Sequence, residues 1–250
     1  MGIRSIFNLL YPDNLYCHCC GKIIDWSRTY GLCDNCMTQI KWVGERRCVK
    51  CGKVLSENNP LDICYNCKEH EHVFRQGFTC TEYGTINRSM IYSLKYDDKP
   101  AVSRDIGTIM ADRMLSEFTP SELGKRYTLI VPVPLSRERM LNRGYNQAAM
   151  IAEEFAKKTG LPYDGEVLER CKYTEAMRGL TPEQRRLNLK GSFEVINYMK
   201  NRVNDADCLV IDDIMTTGTT ADEIARLLYQ EGANSVDFLS FANGADVIKS

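Results

Sequence analysis

The stretch Cys208-Leu209-Val210-Ile211-Asp212-Asp213-Ile214-Met215-Thr216-Thr217-Gly218-Thr219-Thr220 decides the reading of the chain. An apolar run ends in two adjacent acids, and threonines around a glycine follow. Ala221, Ile224, Ala225 and Leu228 then recur at helical spacing, which predicts a helix from Ala221 to Gln230. The pattern is a strand, a tight polar loop and a helix N-terminus. Free N–H groups and the positive end of the helix dipole converge there, so the geometry suits a phosphate. Gly218 lets the backbone approach closely, and the threonine hydroxyls add donors. Asp212 and Asp213 stand at the carboxyl end of the strand, where open α/β sheets bind ligands. Carboxylates repel phosphate but accept hydrogen bonds from two sugar hydroxyls. Acids for a sugar beside a loop for its phosphate point to a phosphorylated ribose.

Working outward, the preceding segments alternate between strand and helix patterns, as an α/β domain requires. Phe78 to Tyr83 reads as a strand and Thr85 to Tyr96 as a helix, broken by Asp97-Asp98-Lys99-Pro100. Val102, Ile106, Ile109, Met110 and Phe118 outline a second helix. Tyr127 to Val131 is a short strand of the buried parallel kind. The next loop runs from Pro132-Val133-Pro134-Leu135 through Arg137, Arg139 and Arg143 to Gly144-Tyr145-Asn146-Gln147. Guanidinium groups hold phosphates through paired donors, so this loop is a candidate pyrophosphate site. A helix from Ala148 to Lys158, ended by Gly160, comes after it. Val167-Leu168 opens another strand, and Arg170 to Phe193 forms a long, basic segment of the length expected for a functional loop or lid. Ser235 to Phe241 closes the sheet.

The N-terminal third is different. Cys17-x-x-Cys20 and Cys33-x-x-Cys36 are followed by Cys48-x-x-Cys51 and Cys64-x-x-Cys67, the second set repeating the first 31 positions later. Gly21-Lys22 recurs as Gly52-Lys53, Leu32 as Ile63 and Asn35 as Asn66. Two thiolates three positions apart can face one ion, and a second such knuckle closes a tetrahedron. Units this small bury too little to fold alone, so Zn²⁺ would supply the folding energy. The expectation is two structural zinc ions, with disulfide pairing as the alternative. Cys19 is a further thiol inside the first knuckle and a weaker candidate ligand. His18, His70 and His72 read as exposed or structural, and Cys80, Cys171 and Cys208 as ordinary buried thiols.

Composition sets the outer limits. The chain has 250 residues, 44% of them hydrophobic, twelve cysteines and a formal net charge of −1. No global field draws it to nucleic acid or membrane. No apolar run reaches membrane-spanning length and no signal-peptide pattern opens the chain, so no stable membrane insertion and a cytoplasmic location are expected. Met1 to Leu10 reads as a docking segment. Arg46, Arg47, Lys50 and Lys53 beside Trp42 form a patch able to hold a single strand by phosphate contact and stacking. Against it, residues 1–75 carry ten Lys/Arg and eight Asp/Glu, and two tetrathiolate zinc centres would each add about two negative charges. Surplus positive charge stays with Arg137, Arg139, Arg143 and the Arg170–Lys190 segment, which favours the second domain for any DNA contact.

The strand, paired acids and threonine loop resemble the fingerprint of the type I phosphoribosyltransferases, which bind phosphoribosyl pyrophosphate (PRPP). That resemblance implies ribose contact and a catalytic role for Asp212 and Asp213. It implies that Met215, Thr216, Thr217, Gly218, Thr219 and Thr220 hold the 5′-phosphate, that Val133, Pro134, Arg137 and Arg143 complete the PRPP site, and that Mg²⁺ accompanies the ligand. With the cysteine repeat and the Pro132–Gln147 motif, almost the whole chain resembles the ComF family. The implied architecture is a double zinc ribbon over residues 1–75 and a phosphoribosyltransferase-like parallel sheet flanked by helices over 76–250. Leu180, Arg185, Asn188, Gly191 and Phe193 also fit, whereas Met177 stands where many relatives have glutamine. The family is linked to natural competence, which implies a PRPP- and single-stranded-DNA-binding protein of DNA uptake with a competence helicase as partner. An active phosphoribosyltransferase of nucleotide metabolism is the alternative. Its acceptor is unreadable, because the ribbons occupy the part of the chain that elsewhere recognises the base.

Overall fold

A computed structural model of the chain describes residues 15–25, 27–96, 100–172 and 182–247. Met1 to Leu10, Asp97 to Lys99 and the centre of the basic segment, with Met177 and Leu180, lie outside them. The main sheet is parallel throughout. Its order is β1 (Gly77–Glu82), β6 (Ser235–Asn243), β5 (Asp207–Met215), β2 (Leu129–Pro132). A second, antiparallel pair joins β3 (Leu168–Arg170) to β4 (Phe193–Val195).

Alternation along the strands decides what covers each face. Leu209 and Ile211 of β5, with Leu239 and Phe241 of β6, point to one side. There they pack on α3 (Thr85–Tyr96), α4 (Pro100–Leu115) and α7 (Gln147–Thr159). Cys208 and Val210, with Val236 and Phe238, point to the other and meet α10 (Thr219–Gln230) and the β3–β4 pair. Helix ends follow local chemistry. Thr119 and Glu122 form a capping box at the start of α5 (Pro120–Arg126), and α7 stops where Gly160 takes φ +73°.

Each cysteine cluster joins a different face. Cys17, Cys33 and Cys36, with Leu32 and Ile40, pack into the α3–α4–α7 side around α1 (Asp34–Gln39). Cys48, Cys51, Cys64 and Cys67, with Leu55 and Phe74, pack into the α10 side around α2 (Tyr65–Glu69). The connector runs along the free edge of β1: the Val43 N–H donates to the Cys80 carbonyl, the Glu82 N–H donates to the Lys41 carbonyl, and Trp42 bridges to Thr81. An open sheet edge is thereby covered.

Four expectations change. Arg137–Arg143, read as loop, is a helix (α6), because Ser136 accepts the Arg139 N–H at its start and Gly144, at φ +78°, ends it. Pro100 opens α4 as a tolerated first-turn proline. Cys171 is exposed, and β5 continues two residues past the paired acids.

At the opposite end of β6 from the threonine loop, Asp237 is fully buried and accepts six bonds, one of them from the Arg126 Nε at 3.2 Å. Its other donors are the Arg75 Nε (2.9 Å) and Nη2 (2.8 Å), the Arg126 Nη2 (2.8 Å), the Tyr127 hydroxyl (2.8 Å) and the Gln76 N–H (3.0 Å). Burial alone would raise this carboxyl. Hydrogen bonds from Arg75 and Tyr127, then the charges of Arg75 and Arg126, outweigh it and hold the group below the usual carboxylate range. Its contribution is therefore present above the unfolded pKa and is lost as pH falls through the lower folded value. Asp237→Asn should cost about 2–4 kcal/mol in urea unfolding, reduced below the fully buried case because Arg75 is partly exposed. The difference from the parent should shrink in acid below pH ~4. An unchanged midpoint at neutral pH would refute this role.

Candidate functional site

β5 is hydrogen-bonded on both sides, to β6 through Asp212↔Ser240 and Met215↔Asn243 and to β2 through Pro132↔Ile211. The β2 pairing ends at Ile211, and the β6 pairing carries the strand on past the acids to Met215. Asp213 is buried, and Lys95 from the last turn of α3 makes an ion pair with it at 2.5 Å. Asp212 keeps more exposure and accepts the Asp213 N–H at 2.8 Å. Burial, then the Asp213 charge and the hydrogen bond to it, push the Asp212 carboxyl well above its ordinary value, with Lys95 opposing. The adjacent acids thus differ in role: Asp213 is neutralised internally, and Asp212 faces the cleft.

The loop after β5 has the conformation the sequence anticipates. Gly218 takes φ +78°, in the left-handed region that only glycine adopts without strain, and begins α10 with no side chain capping that end. The Thr217 and Thr219 hydroxyls meet at 2.9 Å. Asp212, Met215, Thr216, Gly218 and Thr220 all line one small open cavity.

Val133 and Pro134 continue β2 beside Asp212, where the Val133 N–H donates to the Ile211 carbonyl at 2.9 Å. Asn146 braces this turn, donating to the Val133 carbonyl at 3.0 Å while accepting the Ala148 N–H at the start of α7. The Tyr145 hydroxyl donates to the Leu94 carbonyl at 2.7 Å, next to Lys95. Arg137 and Arg139 are exposed on α6, and Arg143 donates to Gln147 at 2.8 Å.

Lys95 and Arg170 were not readable as site residues from the sequence. Lys95 looks like an ordinary helix-end charge until α3 is folded over β5. The Arg170 guanidinium stacks on Phe193 at 5.5 Å. Burial and the nearby Arg139 charge lower its pKa, and the Asp212 charge offsets them. A polyanion would relieve the repulsion between the cations.

The eight repeated cysteines form two separate groups, Cys17/Cys20/Cys33/Cys36 and Cys48/Cys51/Cys64/Cys67, each with all four sulfurs within 4.8 Å. Cys20 and Cys33 Sγ lie 3.7 Å apart, as do Cys51 and Cys64 Sγ. A disulfide needs about 2.05 Å, whereas a tetrahedron of 2.3 Å Zn–S bonds sets sulfurs about 3.8 Å apart. Both groups fit zinc, with one ion per repeat. In the first, burial opposes ionisation, but N–H donors from Cys33, Cys20 and Cys19 bring the Cys17 thiol down to about 6. Cys19 stands outside this group: burial and the neighbouring thiolates push it up to about 12, and it donates to the Ile86 carbonyl.

The basic patch of the second ribbon is spent internally. Arg46 donates to the carbonyls of Ser56, Glu57 and Asn59, Arg47 pairs with Glu117, Lys50 donates to the Phe74 carbonyl, and Lys53 is buried. The Trp42 indole is engaged by the Met37 carbonyl. His18 and His72 are structural, pairing with Asp105 at 2.8 Å and Asp222 at 2.9 Å. Among the described residues, no helix is long and apolar enough to cross a membrane.

Purified protein should contain two zinc ions per chain, and Cys67→Ser should reduce this to one, by elemental analysis. Retention of both ions in Cys67→Ser would contradict one cluster per repeat.

Comparison with known proteins agrees with this anatomy. Residues 6–68 match the double zinc ribbon domain family. Competence protein F of Haemophilus influenzae is 34% identical over 113 residues, 45% of this chain and 49% of that protein. Competence protein ComFC of Streptococcus pneumoniae is 29% identical over 213 residues, 84% of this chain and 86% of that protein. DNA utilization protein YhgH of Escherichia coli is 28% identical over 160 residues, 63% and 67% of the two chains. The chain thus matches about half the length of the Haemophilus protein and most of the Streptococcus one. Among solved structures, phosphoribosylpyrophosphate synthetase of Mycobacterium smegmatis aligns at 16% identity and TM-score 0.33, covering 53% of this chain and 33% of that one. The L. donovani hypoxanthine-guanine phosphoribosyl transferase aligns at 15% and 0.35, covering 56% and 71%. Similarity at that level says nothing about ligands. The ribbon repeat, the parallel sheet with its acid-and-threonine turn, and these curated relatives make this chain similar to proteins named for competence and DNA utilization.

Proposed function

We propose that this protein binds PRPP with Mg²⁺ at the end of β5 and binds single-stranded DNA, acting in DNA uptake on the cytoplasmic side with a helicase partner. One observation carries the PRPP reading: a cleft-facing carboxylate, Asp212, stands beside a left-handed Gly218 that opens an uncapped twelve-residue helix. Asp212 accepts the ribose hydroxyls. The N–H groups and hydroxyls from Thr216 to Thr220 take the 5′-phosphate. Val133 and Pro134 form the neighbouring wall, and Arg137, Arg139 and Arg143 meet the pyrophosphate. Mg²⁺ neutralises the pyrophosphate when bound. Asp213, tied to Lys95, orients Asp212 and adds no free charge. The DNA reading is supported by relatives named for competence and DNA utilization, and by exposed Arg137 and Arg139 where the ribbon cations are spent on internal partners.

Transfer chemistry is the second reading: exposed Arg137 and Arg139 on α6 would stabilise departing pyrophosphate. Pyrophosphate release from PRPP on addition of an acceptor distinguishes it from binding alone.

Calorimetric titration tests the proposal in the full chain. PRPP with Mg²⁺ should bind, and Asp212→Asn should cost about 1.5–3 kcal/mol of binding, the value of a charge-assisted hydrogen bond. In the same titrations, single-stranded DNA should bind with a log–log salt slope of about 0.7 per phosphate neutralised. Arg137→Ala with Arg139→Ala should flatten that slope. Unchanged PRPP affinity in Asp212→Asn would remove the acid from the site, and an unchanged slope would move the DNA elsewhere.

A further inference from the structure

The second ribbon reaches the threonine loop directly. Asn66 lies between the zinc ligands Cys64 and Cys67 on α2, and its amide donates to the Thr217 carbonyl at 3.3 Å. The same amide lies 3.3 Å from His72 Nε2. The His72 ring, 5% exposed, lies against Gly218: a Cβ built on Gly218 would meet its Cε1 at 2.5 Å. On its other side His72 Nδ1 is held at 2.9 Å by Asp222 of α10, whose second oxygen accepts the Val73 N–H at 2.8 Å. Phe74 stacks on the His72 ring at 4.8 Å and anchors it to the sheet through Phe238. Behind the ribbon, Asp246, just past β6, accepts the Tyr65 N–H, the Ser56 N–H and the Asn59 amide. In the first ribbon Asn35, the repeat equivalent of Asn66, is exposed.

A loop that must present several N–H groups to one phosphate gains affinity if its shape is fixed beforehand. Thr217 and Gly218 are the residues whose peptide orientation sets those N–H directions. Both are touched by a ribbon segment whose own shape depends on its metal.

We propose that the second zinc ribbon is a positioning element of the threonine loop: Asn66 and His72 clamp Thr217 and Gly218 in the phosphate-receiving shape. Zinc in the Cys48–Cys67 cluster and a phosphoribosyl ligand then strengthen each other's binding. The ligand half rests on the PRPP reading above; the clamp does not. Coupling of this kind is reciprocal, so the ligand protects the metal by the factor with which the metal favours the ligand.

The test uses the full-length zinc-loaded protein with three changes: His72→Ala, Asn66→Ala and the matched control Asn35→Ala. Hydrogen exchange of the 216–220 amides is read first. It should quicken about fivefold or more in the first two and stay within about twofold of the parent in the third. The PRPP dissociation constant should rise about tenfold in His72→Ala and hold in Asn35→Ala. Excess PRPP with Mg²⁺ should slow loss of one of the two zincs to a chromogenic chelator, and His72→Ala should abolish that protection. If His72→Ala loses its metal, His72→Gln keeps an amide toward Asp222 but not the ring on Gly218, and is compared in its place. Loop exchange unchanged in variants that hold both zincs overturns the clamp. If the parent protein binds no PRPP, the proposed function fails, while the exchange comparison still decides the clamp.

Discussion

β5 is hydrogen-bonded along both edges and covered on both faces, and the rest of the molecule depends on that constraint. Pairing with β2 to Ile211 and with β6 to Met215 sets the directions in which the residues leaving its end emerge. That pairing lets Asp212, the Thr216–Thr220 turn and the Val133–Pro134 strand end act as one preorganised surface. It also forces the acids apart in role. Asp213 falls on the buried side, where an unpaired carboxylate would be costly, and Lys95 answers it. Asp212 is left to face the cleft.

The ribbons are part of this construction. Each is too small to hold a core, and each contributes its cysteines and a few apolar side chains to one face of the sheet. Their connector closes the β1 edge. Removing them would uncover two faces and an edge together. The ribbon cations that looked available for nucleic acid are consumed in this docking, through Arg46 on three carbonyls and Arg47 on Glu117.

Much of this was legible in the sequence, for definable reasons. The cysteine spacing encodes its own geometry, because knuckles three residues wide leave few other ways to surround an ion. Buried parallel strands read as apolar runs, and the helix after Gly218 carries a clear period. What stayed hidden was contact between distant segments. Lys95 has no local signature of an ion pair with a residue more than a hundred positions away. His72 reads as one more histidine near a metal cluster until α10 supplies Asp222 and the loop supplies Gly218. The α6 helix was missed because its arginines and polar residues lack a buried face, so that a cap at Ser136 and a stop at Gly144 define it without apolar periodicity. Cys171 was misjudged because a thiol's burial depends on neighbours that sequence does not name.

The central claim is that the end of β5 is a phosphoribosyl pocket. Its most direct test is a crystal structure of the full-length protein with PRPP and Mg²⁺. The account predicts the 5′-phosphate within hydrogen-bonding distance of the 216–220 N–H groups and the ribose hydroxyls on Asp212. A phosphate bound elsewhere, with this turn empty and Asp212 facing only solvent, would contradict it.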